Sequence, residues 1–324
     1  MVPTIVQLAT SFTMLYYNIM KFINTLLITL SCLFLTNISH ANDTKIVVSI
    51  KPLHSIVSNV VGSDNIRLLV DKGYSPHDFQ LKPSHMKRLQ NADIVFYIDD
   101  LSLEAFLARP LRTTKKNTIK ISIADNSKLK FYPIRKGGIW EQEDSNNVHN
   151  HTHGEFDPHF WLDTRNTIKI TKQVVIELSK INPTEKSNYK KNAKIFIQEI
   201  NDKRISIAKK LDSIKDKPFI VFHDGYQYYE KEFGLNSAGS ISINPEISPS
   251  PKRITEIKSK IRKSNIACVF KEPQFSSKVV QTIIKDTDAK EGILDPVGFN
   301  LEPGKDLYLK LIDNLTKSLI SCLS

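Results

Sequence analysis

Nine histidines occur in the 324-residue chain, and their neighbours decide which can do chemistry. His77 stands in Gly73-Tyr-Ser-Pro-His-Asp78, after an apolar run ending at Val70. His159 stands in Asp157-Pro-His-Phe-Trp-Leu162, and His223 directly follows Phe219–Phe222 in Val221-Phe-His-Asp-Gly225. Asp295 directly follows Gly292–Leu294 in Leu294-Asp-Pro-Val-Gly298. Three imidazoles and one oxygen in a tetrahedral array suit Zn²⁺. Calcium and magnesium want mostly oxygens, and manganese or iron would sit better with two histidines and two carboxylates. Neutral imidazoles leave a divalent charge uncompensated, so a carboxylate is expected nearby. Asp295 can supply it, as fourth ligand or one layer out.

A lone histidine is more often a core or surface residue than a ligand, so the others are weighed singly. His54, in Lys51-Pro-Leu-His54 at a strand-to-helix junction, is an alternative fourth ligand. His85, beside Ser84 on a helix, reads as solvated, and His40 belongs to an export signal. His149, His151 and His153 alternate in a polar stretch, 141–155, with Glu141, Glu143, Asp144 and Glu155. Such a His-rich tract has compositional metal affinity and is expected to capture metal weakly. A solvated loop that merely tolerates histidine is the plainer reading.

The elements that must position these groups alternate. Strands are predicted at Lys45–Ile50, Ile66–Val70, Ile94–Ile98 and Thr118–Ile123, separated by helices over His54–Val61, Ser84–Asn91 and Leu103–Leu107, with Ser84 as an N-cap. A helix of about 18 residues follows Trp161, and a longer one runs from Pro183 to Ile214. Tyr189, Ala193, Phe196, Ile200, Ile207, Leu211 and Ile214 form one apolar stripe of the longer helix. The alternation then restarts with strands Phe219–Phe222, Ala267–Phe270 and Gly292–Leu294. Helices begin at Ser250-Pro251, near Ser276 and near Lys305. This pattern predicts an α/β fold of two lobes. Each has a mostly parallel sheet flanked by helices, and a long rigid helix joins them. Ligands of open α/β sheets bind outside the carboxyl ends of strands, so one cation between the lobes would meet imidazoles from both halves.

Residues 20–41 have a lysine, an apolar run from Phe22 to Leu35, and Ser39-His40-Ala41, the small-residue pattern of signal-peptide cleavage. Cleavage is expected after Ala41, and translation starting at Met20 would explain why residues 1–19 lack a charged start. A membrane anchor is the alternative, but the run is short for ~30 Å of hydrocarbon. The expected organisation is therefore a signal peptide over 1–41, a first lobe over 42–182, a linking helix over 183–214 and a second lobe over 215–324. Cleavage leaves Cys268 and Cys322, which in an exported chain read as one disulfide tying the last helix to a strand. Apolar residues at 40% and charged residues at 24% are ordinary for a globular protein, which excludes disorder and collagen-like structure. The net charge of +11 comes from lysines spread along the chain, and no nucleic-acid partner is expected.

The segments Ser75-Pro-His-Asp-Phe-Gln-Leu81, Pro158-His-Phe-Trp-Leu162, Val221-Phe-His-Asp-Gly-Tyr226, Asn244-Pro-Glu-Ile247, Cys268-Val-Phe-Lys-Glu-Pro-Gln-Phe275 and Leu294-Asp-Pro-Val-Gly298 resemble the periplasmic zinc-binding proteins of high-affinity ABC zinc importers. These form a branch of the metal-specific solute-binding proteins, and the match runs in order over almost the whole mature chain. The resemblance implies two α/β lobes on a long helix and His77, His159 and His223 as ligands of Zn²⁺, the transported cargo. In manganese-type relatives the third position is glutamate, so His223 favours zinc. The resemblance keeps Asp295 near the metal while water or another group takes the fourth place. Some members have a glutamate immediately before the first histidine. Here Pro76 stands there, and the fourth ligand stays open. Cys268 and Cys322 match the disulfide of Gram-negative zinc members, and the charged His-rich loop is a family trait, here short.

The resemblance also implies a periplasmic monomer, not an enzyme, that makes peripheral contact with an inner-membrane ABC permease and its ATPase. A rigid linking helix predicts small rearrangements on metal binding. The alternatives are a manganese-type member, an exported zinc hydrolase, or an adhesin or metal buffer without a permease. A hydrolase finds no support in a His-Glu-x-x-His pair or a Gly-x-Ser-x-Gly elbow, neither of which is present.

Overall fold

The computed structural model describes residues 14, 16, 17, 19–24, 44–63, 65–71, 74–135, 156–242, 245 and 248–324. The chain divides into two units, 1–44 and 45–324. In the first, the described residues between 14 and 24 are helical. The expected cleavage at Ala41 and the His-rich loop with His149, His151 and His153 lie outside the described residues. No helix among the described residues is long and apolar enough to cross a membrane.

The larger unit opens with β1 (Ile46–Val48), α1 (Lys51–Val61), β2 (Arg67–Leu68), α2 (Pro83–Asn91), β3 (Ile94–Tyr97) and β4 (Ile119–Ser122). These strands form a parallel sheet in the order β2-β1-β3-β4. After α3 (Thr164–Ile181) and α4 (Lys186–Leu211), the pattern repeats with β5 (Phe219–His223), α5 (Gln227–Phe233), β6 (Ser237–Ser242), α6 (Pro251–Lys263), β7 (Cys268–Lys271), α7 (Lys278–Ile284), β8 (Lys290–Ile293) and α8 (Leu307–Leu323). The second sheet, also parallel, has the order β6-β5-β7-β8. Two parallel four-stranded sheets flanked by helices, with a long helix between them in sequence, match the expected architecture.

The long helix is shorter than expected. A 3-10 turn over Pro183–Glu185 precedes the 26-residue α4, because proline at the start supports a turn without donating to one. Its stripe from Tyr189 to Leu211 is buried against α1, α3 and α8. Other differences have local causes. Leu103–Leu107 forms only a 3-10 turn at Ala105–Leu107, and a second begins at Pro110, whose missing N–H breaks helix propagation. The strand β6 reads Ser-Ala-Gly-Ser-Ile-Ser and has too few apolar side chains to be seen by pattern. It forms because β5 offers a free backbone edge. Short α5 was likewise not expected from the sequence. Ser84 is not the cap of α2. Lys82 precedes the first turn, and His85 reaches back to accept its backbone N–H at 3.0 Å. That makes His85 a buried capping residue rather than a solvated one.

One apolar cluster runs through both halves, from Val48 and Phe96 through Phe196 and Trp161 to Val221, Phe270 and Tyr308. The expected disulfide joins Cys268 on β7 to Cys322 on α8, with Cα atoms 6.1 Å apart.

Candidate metal centre

The chain order places β5 between β6 and β7, so successive crossovers leave β5 in opposite directions. Such a switch point opens a crevice at the carboxyl ends of the strands. His223 is the last residue of β5, and Glu272 directly follows β7, so both stand at the mouth of that crevice. From the first sheet, the segment after β2 ends in a 3-10 turn over Pro76–Asp78. Ser75 Oγ caps it by accepting the His77 backbone N–H at 3.2 Å. The third segment precedes α3. Asp157 folds back to accept the His159 backbone N–H at 2.9 Å, and Asp163 caps α3 by accepting from Arg165 and Asn166. Tyr228 braces this segment by donating to the Asp157 carbonyl at 2.8 Å.

These elements bring His77, His159 and His223 together, and they are the only such cluster among the described residues. Nε2 of His159 lies 3.3 Å from Nε2 of His77 and 3.3 Å from Nε2 of His223. His159 and His223 are buried and His77 is half-buried. Two of the rings are oriented from behind. His159 Nδ1 donates to Asp157 Oδ1 at 2.8 Å, and His223 Nδ1 donates to Glu272 Oε1. A proton held on Nδ1 leaves the Nε2 lone pair facing the cluster. Gly225 gives the cluster room, since a Cβ there would lie 2.6 Å from His223 Nε2 and 3.4 Å from His159 Nε2.

The electrostatics separate the three rings. Burial, then the neighbouring imidazoles, hold His77 and His159 well below the ordinary histidine range. Burial pulls His223 down, but the carboxylates of Glu272, Asp224 and Asp157 together outweigh it and the ring is raised. Burial lifts Asp157 to about 6, against the hydrogen bond from His159 and the nearby Arg135. Arg135 donates through Nε to both oxygens of Asp224, at 3.0 Å each, and through Nη1 to Glu230 at 2.8 Å. This network buries Asp224 beside His223 and shares one guanidinium between Asp224 and Glu230.

Two expected residues do not join the cluster. His54 is buried on α1, with Nε2 3.3 Å from the Ile66 carbonyl and Nδ1 3.4 Å from Ser58 Oγ, so it is a core histidine. Asp295 turns into its own loop, where its carboxylate accepts the backbone N–H groups of Val297, Gly298 and Phe299. The carboxylates expected near the cation are instead Asp157 and Glu272, neither singled out from the sequence. Asp157 had a readable signal two residues before His159, whereas Glu272, although inside the 268–275 segment just past a predicted strand, is 49 residues from His223 and nothing in the sequence paired the two. Arg135, Asp224, Glu230 and Gly225 were also missed.

Comparison with known proteins bears on this geometry. Residues 46–322 match the family described as zinc-uptake complex component A, periplasmic. The chain is 38% identical over 306 residues to the high-affinity zinc uptake system protein ZnuA of Brucella suis, covering 86% of this chain and 91% of the relative. It is 30% identical over 309 residues to the protein of the same name from Yersinia pestis, covering 90% and 95%. The AdcAII protein of Streptococcus pneumoniae shares the fold, with a TM-score of 0.71 at 24% identity over 86% of this chain and 98% of that one.

Proposed function

The chain belongs to the periplasmic zinc-uptake component A family, and from that premise we propose that it holds one Zn²⁺ between His77, His159 and His223 for import through an ABC permease. Family membership makes it a solute-binding component of zinc uptake and not an enzyme. Zinc is its cargo rather than a resident cofactor.

The observation that carries the ligand assignment is the nitrogen spacing. Two nitrogens bound to zinc at ~2.0–2.1 Å and the tetrahedral angle stand about 3.3–3.4 Å apart. The separations of 3.3 Å on either side of His159 equal that edge. Orientation of two rings by Asp157 and Glu272 means little reorganisation is needed when the ion arrives. Three nitrogens without a carboxylate ligand support zinc over manganese. Water fills the fourth position in this reading.

The finer reading has residues 1–41 removed on export and the mature chain acting as a periplasmic monomer. It docks on the inner-membrane permease, whose ATPase drives uptake. Chelator competition on residues 42–324, which contain the whole compact unit, tests the site. One tight zinc, much weaker manganese and loss of the site in His77→Ala are expected. Tight manganese, or unchanged zinc in His77→Ala, would overturn the ligand set. Stimulation of the permease ATPase by the zinc-loaded chain tests the partner.

A further inference from the structure

Charge in the second half is unevenly placed. Residues 251–285 hold nine lysines and arginines against two glutamates, while 215–250 hold three against five acids and 286–324 hold four against seven. Six of the nine lie on α6, Lys278 begins α7 and Lys285 directly follows it. Helix dipoles favour the cations in the last turn of α6, Lys260, Arg262 and Lys263. They oppose Lys252 and Arg253 at its start and Lys278 at the start of α7, so helix stability does not account for the whole set. Arg253 has a structural use, since its Nη2 donates to the Ser240 carbonyl at 2.6 Å.

The two helices pack against each other and cover one face of the second sheet. Ile257, Ile261, Val280 and Ile283 turn inward onto Phe222 and Val269. The other sheet face, with Val221 and Phe270, belongs to the cluster shared with the first half. With Ile257 and Ile261 inward, Lys252 and Lys263 fall on the outer arc of α6, and Lys258 and Arg262 on one flank. Lys252, Arg262, Lys263, Lys278 and Lys285 are exposed. None of the strongly exposed large hydrophobic side chains among the described residues falls within 251–285. Protein interfaces are depleted in lysine and anchored by aromatic side chains, so this face fits a protein partner poorly. A layer of phosphate headgroups needs only cations within about a Debye length, ~8–10 Å.

We propose that the α6–α7 face rests on anionic phospholipid headgroups, so that electrostatic attraction holds the mature chain at the inner-membrane surface and its search for a permease runs in two dimensions. The periplasmic setting comes from the family, and the surface from the charge and packing above. With no large exposed apolar side chain to insert, the contact is reversible and screened by salt. It needs no zinc, because His223 stands at the carboxyl end of β5 whereas α6 and α7 cover the face of the sheet.

Co-sedimentation of residues 42–324 with vesicles tests this. Binding is expected to vesicles of equal parts phosphatidylglycerol and phosphatidylcholine and not to phosphatidylcholine alone. It should fall steeply between ~0.05 and ~0.5 M salt. The variant Lys252→Gln/Lys258→Gln/Lys263→Gln/Lys278→Gln/Lys285→Gln should bind at least about tenfold more weakly. Lys186→Gln/Lys190→Gln/Lys191→Gln/Lys194→Gln/Lys209→Gln removes the same charge from exposed positions of α4 and should cost about threefold or less. Equal losses in the two variants would show attraction to net charge alone and overturn the assigned face. Wild-type chain that ignores the anionic vesicles, binds both kinds alike or is unmoved by salt would overturn the lipid contact. His77→Ala should bind vesicles as wild type does, so the zinc reading and this inference fail independently.

Discussion

Replacing Gly225 by alanine puts a methyl carbon where the metal centre has none. The new Cβ would lie 2.6 Å from His223 Nε2 and 2.8 Å from its Cε1, whereas real Cβ contacts almost never fall below 3.0 Å. Ring and backbone must therefore separate by at least 0.4 Å, the difference between 3.0 and 2.6 Å. The His223 ring cannot easily retreat, since its side chain is 2% exposed and its Nδ1 is held by Glu272. Metal–ligand distances tolerate only about ±0.2 Å, so the shift exceeds what a zinc bond absorbs. We expect zinc affinity to fall at least about 100-fold, which is ~2.8 kcal/mol. The metal-free protein should keep its melting temperature to within a few degrees, because the methyl points into the site rather than into packed core. Chelator competition measures the affinity, and thermal melts with and without zinc separate site damage from fold damage. Zinc binding within about threefold of wild type would refute the claim that Gly225 shapes the site.

Glu272→Gln should weaken zinc by about 10–100-fold, because the carboxylate that orients His223 and helps balance the cation is gone; isothermal titration would show this, and an unchanged affinity would rule out the role. The pH dependence should be shallow. His77 and His159 lie well below the usual histidine range and are already neutral there, while His223 is raised, so as pH falls through that range the first competing proton goes to His223. Zinc binding near pH 6–7 should then release about one proton, read from titrations in buffers of different ionisation heat, and two or three protons would contradict it. Glu104 is raised by burial from 4.5 to about 8, so the folded chain keeps a proton that the unfolded chain gives up. Its contribution is complete below pH ~4.5 and is lost as pH rises through 8, so Glu104→Gln should flatten the fall in denaturant stability between those limits; an unaltered slope would refute it. Removing both cysteines, Cys268→Ser with Cys322→Ser, should cost about 4 kcal/mol for the loop they close, and a loss under about 1 kcal/mol would show that the cross-link constrains little.

The linear chain carried the strand–helix rhythm and the long apolar stripe through local periodicity, and His77 and His223 through their positions after strands, whereas His159 follows no strand and stood out through its segment's family resemblance. Tyr189, Ala193, Phe196 and Ile200 recur at helical spacing, so their burial could be read directly. His223 follows a continuous apolar run, which identifies a buried strand and thereby the site's mouth. The polar strand β6 escaped because its formation depends on the edge of β5 rather than on its own side chains.

What tertiary structure alone decided is which carboxylate serves which ring. Asp295 has the better sequence position, directly after a predicted strand, yet it spends both oxygens on Val297, Gly298 and Phe299. Glu272 reaches His223 only because β5 and β7 are neighbours across the switch point. His54 was the secondary alternative for the fourth place, and α1 turns it towards the Ile66 carbonyl and Ser58. Sequence determines which side chains can bind or balance a cation, since that is a property of residue type. Their partners are settled by strand order and loop direction, because a hydrogen bond between distant residues depends on distance in space and not along the chain.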